Sequence, residues 1–138
     1  MISDEKIILS VTSSRHYQFV DITDAIQNEV ADHQIEAGTC HLFNPHTTAG
    51  LTINEGCDPA VQDDILGVFG KIIPETYPYR HREGNSPSHI LATLTGACLT
   101  VFVQNGRLQL GTWQRILFCE YDGPRNRTIW IWFTGKGG

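Results

Sequence analysis

The sequence predicts an α+β domain, with antiparallel strands stacked sandwich-like in one or two sheets and about three helices on one side. Three observations carry this expectation. Asn105-Gly106, the strongest short hairpin signal, separates two strand-like runs, residues 99–103 and 107–110. Three stretches pair a helix-opening signal with apolar residues at helical spacing. The last third of the chain reads almost entirely as strand.

Taken in order, residues 7–13 form a first strand. Asp21-Ile22-Thr23-Asp24 opens a helix. Ile22, Ala25, Ile26, Glu29 and Val30 share one of its faces, and only Glu29 is polar. After Gly38, residues 39–43 read as a strand with Leu51-Thr52-Ile53 as its partner, which puts His46 on the intervening loop. Asp58-Pro59 starts a second helix, with proline in the first turn where its missing N–H is not needed. Val61, Ile65, Val68 and Phe69 are its expected buried stripe. Residues 74–84 read as a long loop. Ser86-Pro87 supplies a cap and a first helical residue; Ile90, Leu91 and Leu94 face inward, and Gly96 ends that helix. Residues 115–119 and 128–133 are expected to pair across Asp122-Gly123-Pro124-Arg125. Trp130-Ile131-Trp132-Phe133 suits a sheet covered on both faces.

The 138 residues fit one domain, spanning residues 1–138, and a chain of this length can bury a core without staples. Net charge is -5 and the isoelectric point lies near 5.6. That argues against nucleic acid as a partner, because such a binder needs a basic stripe. Small anionic ligands remain compatible, since local fields can oppose net charge. No leader-like or membrane-spanning run is read, and a cytoplasmic location is expected. Cys40, Cys57, Cys98 and Cys119 show no CxxC spacing, so they are read as reduced, mostly buried thiols.

His46, His81 and His89 stand in polar surroundings. Neutral imidazole is the commonest transition-metal ligand, and three imidazoles with an open position form a catalytic zinc arrangement. With Ser86 as cap, His89 falls at the third helical position, where free backbone N–H groups favour a neutral ring and an anionic ligand. The bland alternative is that these are loop and cap histidines. His16, His33 and His41 are not read as ligands. Thr47 and Thr48 offer hydroxyls on a flexible loop ending in Ala49-Gly50. Glu55 and Glu83 are candidate general bases or orienting carboxylates. Asp58 reads as a cap and Asp64 as a solvated face. Arg125 and Arg127 can grip phosphate as forks or pair with surface acids. Trp113 can stack on a flat ring, though an interface or core position suits it better.

Together, His46-Thr47-Thr48-Ala49-Gly50, Asn54-Glu55, Asp58-Pro59, Asp64, His81 through Glu83-Gly84-Asn85 to His89, Gly111-Thr112-Trp113-Gln114 and Glu120 to Arg127 resemble the YjbQ family over nearly the whole chain. Ser88 departs from the pattern, where alanine is expected. The resemblance implies a homotrimer with a histidine metal site near a subunit boundary, onto which His46, His81 and His89 map. It implies a secondary thiamine-phosphate synthase activity, joining hydroxymethylpyrimidine diphosphate to thiazole phosphate with loss of diphosphate. It further implies acid–base or supporting roles for Glu55, Asp64 and Glu83. Thr47, Thr48, Asn85, Ser86, Arg125 and Arg127 form the corresponding phosphate-binding set. Diphosphate departure usually relies on Mg2+ held by carboxylates, whereas three imidazoles favour a divalent ion such as Zn2+. The thiamine-related reaction is therefore expected to be a by-product, with another phosphorylated small molecule as true substrate. A non-catalytic metal- or phosphate-binding trimer and a purely structural trimer are the competing expectations.

Overall fold

In chain order the computed structural model, which describes residues 5–137, runs β1 (Ile7–Thr12), β2 (Gln18–Asp21), α1 (Thr23–Asp32), β3 (Ile35–Phe43), β4 (Ala49–Glu55), α2 (Pro59–Ile72), α3 (Ser86–Thr95), β5 (Cys98–Gln104), β6 (Arg107–Leu108), β7 (Gln114–Glu120) and β8 (Asn126–Gly137). Residues 1–4, part of the stretch read for a leader, lie outside the described residues. The strands form two antiparallel sheets, ordered β1-β8-β3-β5-β6 and β2-β7-β4. With three helices, this is the single α+β domain that the sequence predicts.

Alternation on the strands builds the core. Ile129, Ile131 and Phe133 of β8 point inward with Cys40 and Leu42 of β3 and Val101 and Val103 of β5. They meet Ala49, Leu51, Ile116 and Phe118 from the smaller sheet, and Ile26 and Val30 of α1 complete the cluster. Each large side chain buried here contributes about 1.5–3 kcal/mol relative to exposure. The other face of the smaller sheet carries Phe19, Leu117, Cys119 and Tyr121, covered by Leu91 of α3 and by Ile65, Leu66 and Phe69 of α2. So β7 is buried on both faces, while the outer face of the larger sheet leaves Ile8, Phe43 and Phe102 exposed.

Two expected strand pairs do not form. β4 pairs with β7, not with β3, whose neighbours are β5 and β8. Likewise β7 and β8 are not a hairpin: β7 lies between β2 and β4, β8 between β1 and β3. Both errors have one cause. The loops at residues 44–48 and 121–125 carry the chain from one sheet to the other, and proximity in sequence favours the wrong neighbour. The short β2 was not foreseen, because four residues give too little alternation to read.

Smaller corrections concern the helices and surface residues. The cap of α3 is Asn85, so Ser86 and Pro87 occupy its first two positions and His89 the fourth. In α2 the inward face runs Ile65, Leu66, Phe69 and on to Ile73, while Val68 is turned outward. Leu94 of α3 is exposed. Trp113 is 61% exposed, so it is not a core residue. Cys57 and Cys98 are exposed; Cys40 and Cys119 are buried, and all four are free. β3 begins at Ile35, ahead of Gly38. Gly38 sits opposite Gly135 of β8, with φ of 151° and 134°. A Cβ on Gly38 would lie 1.9 Å from the Thr134 carbonyl oxygen, and one on Gly135 2.1 Å from that of Ala37.

Candidate functional site

The loop between β3 and β4 is braced from both ends. Asn44, 3% exposed, accepts the His46 N–H at 3.0 Å through Oδ1 and donates from Nδ2 to the Ala49 carbonyl at 2.7 Å. The Thr48 carbonyl accepts the Tyr121 N–H at 3.2 Å, and Thr48 Oγ1 accepts Arg127 Nη2 at 2.9 Å. His46 is thereby held against β8, where its Nε2 accepts the backbone N–H of Thr128 at 3.0 Å. Burial first, and then the Arg127 guanidinium, hold the His46 pKa below the ordinary histidine value. Its ring is neutral near pH 7.

Beneath this loop, Glu120 and Arg127 meet inside the protein. Arg127 Nε donates to Glu120 Oε1 at 2.9 Å and Nη2 donates to Oε2. Glu120 also accepts Ser13 Oγ at 2.7 Å and the Asp122 N–H at 3.1 Å. Burial alone would raise its pKa, but Arg127, Ser13 and the Asp122 amide outweigh it and bring the carboxyl below its usual range.

The facing wall comes from the start of α3 and the corner after β7. Asn85 Nδ2 donates to Asp122 Oδ2 at 3.0 Å, and the same oxygen accepts Arg125 Nη2 at 2.8 Å. Ser88 is buried and donates to the Tyr121 carbonyl at 2.6 Å, which explains a hydroxyl where alanine was expected. The N–H groups of Ser88 and His89 both reach the Asn85 carbonyl, at 3.0 and 3.4 Å. Pro87 has none. The donors expected at this helix start are therefore largely engaged. The rings of His81 and His89 stand edge to face, 5.3 Å apart, and His81 Nε2 lies 3.7 Å from Glu83 Oε2.

These walls enclose a cleft of about 320 Å3 lined by His46, Thr47, Thr48, Glu83, Asn85, His89, Asp122, Arg125 and Arg127. A neighbouring cavity of about 490 Å3 shares Glu83, Asn85 and Asp122 and adds His16, Tyr17, Tyr77, Tyr79, His81 and Ser86. The structure thus gathers most of the expected residues from three distant segments. It does not bring Glu55 or Asp64 there. Glu55 ends β4 opposite Gln114, and Asp64 lies on the exposed side of α2. Arg127 points inward to Glu120, so Arg125 is the guanidinium nearer solvent. Sequence reasoning missed Asn44, Glu120 and Asp122 as individual site residues. Glu120 did leave a signal: a charge at the end of the apolar run Ile116-Leu117-Phe118-Cys119 needs a buried partner.

The fit to a metal ion is partial. His81 and His89 lie near enough to approach one ion, but His46 Nε2 is engaged by the Thr128 amide. Among the described residues, no three His, Cys, Asp or Glu side chains are grouped to hold an ion. No helix among them is long and apolar enough to cross a membrane.

A family model described as UPF0047 protein YjbQ-like matches residues 7–136. UPF0047 protein YugU of Bacillus subtilis is 42% identical over 128 residues, covering 92% of this chain and 97% of that protein. A crystal structure of a YjbQ/UPF0047-family protein from Clostridium acetobutylicum superposes with a TM-score of 0.90 at 44% identity, covering 93% of this chain and 99% of the other. A YbjQ-like protein from Sulfolobus solfataricus P2 gives a TM-score of 0.91 at 31% identity over 99% of this chain and 100% of its own.

Proposed function

The chain belongs to the YjbQ-like UPF0047 family, and from the cleft its fold builds we propose that it is an enzyme acting on a phosphorylated small molecule. One observation carries the reading. Thr47, Thr48, the Arg125 guanidinium and the neutral His46 ring share a cleft with the Glu83 carboxylate and His89. Hydroxyls and a guanidinium are the donors that hold phosphate oxygens. The Glu83 carboxylate, exposed at the rim of that cleft, is the group able to take up or release a proton there. The thiamine-phosphate synthase-like transfer fits as a secondary activity, because a departing diphosphate needs such donors around it.

Three further parts belong to this proposal. His81 and His89 serve a divalent ion such as Zn2+, which when bound polarises a phosphoryl oxygen. The chain assembles as a homotrimer; the exposed Ile8, Phe43 and Phe102 on the outer sheet face support this. It works in the cytoplasm, as four free cysteines suit a reducing compartment.

A non-catalytic binding trimer is the second reading. Favouring it, Glu55 and Asp64 lie outside the cleft, and Asp122 already holds Asn85 and Arg125. Diphosphate release from hydroxymethylpyrimidine diphosphate with thiazole phosphate, followed in wild type, Glu83→Gln and Arg125→Ala, decides. The enzyme reading expects turnover that Glu83→Gln abolishes with binding retained, and that Arg125→Ala weakens about tenfold or more. Saturable binding without turnover in wild type supports the second reading. No saturable binding of either phosphorylated compound overturns both.

A further inference from the structure

The expected three-histidine metal set conflicts with one hydrogen bond. The pairing of β8 with β3 ends at Phe43 opposite Trp130. Two residues further along β8, the Thr128 N–H donates to His46 Nε2 rather than to a β3 carbonyl. The imidazole stands in for the strand that turns away at Asn44-Pro45. A neutral imidazole has one lone pair in its ring plane, and the amide occupies it. The proton must then sit on Nδ1. Binding a metal through Nδ1 would move that proton to Nε2, pointing it at the Thr128 N–H and leaving that amide without an acceptor. Asn44 and Thr48 clamp the loop at both ends, so the ring is not free to swing away.

We infer that His46 serves the cleft as a fixed, neutral Nδ1–H donor to an anionic oxygen of the substrate, and is not a metal ligand. The inference rests on the phosphate-cleft reading above and gives it a specific contact. Of the three expected ligands it leaves His81 and His89 for a metal, and separates two roles that the resemblance had merged. The Arg127 guanidinium reinforces the assignment, because a fixed cation close to His46 opposes a second one.

The test is nitrogen-15 NMR of the uniformly labelled full chain, with ZnCl2 and inorganic phosphate added separately. In the free protein, His46 is expected to show a protonated Nδ1 and an unprotonated Nε2. Zinc should leave that pattern unchanged while moving His81 or His89. Phosphate should shift the His46 Nδ1–H. A protonated Nε2, or a metal-bound nitrogen on His46 after zinc, overturns the inference. If phosphate moves Thr47, Thr48 and Arg125 but not His46, the inference fails and the cleft reading stands. If phosphate moves none of them, both fail. His46→Asn, whose amide nitrogen overlies Nδ1, should keep phosphate affinity within about threefold, whereas His46→Ala should lose about tenfold or more. Equal loss in the two variants also counts against the inference.

Discussion

Arg127 Nε lies 2.9 Å from Glu120 Oε1 in a pair that solvent scarcely reaches, Glu120 being 0% and Arg127 5% exposed. Because β7 and β8 belong to different sheets, this pair ties the two sheets together below the His46 loop. Removing one partner leaves a buried charge uncompensated, at about 3–5 kcal/mol. Urea unfolding should show that loss for Arg127→Met or Glu120→Ala. The double replacement Glu120→Leu with Arg127→Met should be milder than the sum. A strictly additive double variant would mean that the pair is not coupled.

The same carboxyl sets an acid limb. Its folded pKa lies below the unfolded value of 4.5. The unfolded chain therefore binds the proton first as pH falls. The stability contributed by ionised Glu120 is complete above about pH 4.5 and drains away as pH drops through the lower folded value. Unfolding midpoints measured from pH 7 down to 3 should fall less steeply below pH 4.5 in Glu120→Gln than in wild type, although the variant starts lower. An unchanged slope would contradict the assignment.

Asp122 competes with any anion for Arg125, since its Oδ2 accepts Arg125 Nη2 at 2.8 Å. Asp122→Asn should tighten inorganic phosphate binding, by about tenfold if one charge-assisted contact is released. Isothermal titration at matched ionic strength checks the sign, which must be opposite to that of Arg125→Ala.

Glycine positions separate into strained and crowded classes. Gly106 sits at φ 73° in open surroundings, where an added Cβ finds only ordinary contacts, so Gly106→Ala should cost about 1 kcal/mol. Gly38→Ala drives a Cβ to 1.9 Å from a backbone oxygen that cannot rotate aside. It should cost about 3 kcal/mol or more, because strain and overpacking add. Thermal unfolding of both variants should rank them in this order.

Thiol reactivity divides the cysteines. Burial pushes Cys40 and Cys119 up to about 12, while Cys57 and Cys98 are exposed. A disulfide reagent at pH 8 should therefore label Cys57 and Cys98 promptly and reach Cys40 and Cys119 only in denaturant. Prompt labelling of Cys119 would show that the cover of α2 over β7 opens readily.

Local signals were legible where a few neighbouring residues decide the conformation. Asn105-Gly106 forms its hairpin with both residues at positive φ, 52° and 73°. Asp58 caps α2 as read, accepting the Ala60 N–H at 2.9 Å, with Pro59 beside it. Long-range pairing was not legible. Nothing local to Leu51 distinguishes β3 from β7 as its partner; the choice depends on Phe118 and Leu51 meeting across strands far apart in sequence. The cleft was half legible for the same reason. Polar loop residues announced themselves, but the engagement of Arg127 by Glu120 and of His46 by Thr128 depends on which sheet each strand joins.

The corner at residues 121–125 passes the chain from one sheet to the other, and both banks of the cleft take residues from its two sides. The opening is thus a seam rather than a hole in one surface. A guest touching Thr48 and Arg125 together would bridge the two crossings that carry the chain from layer to layer.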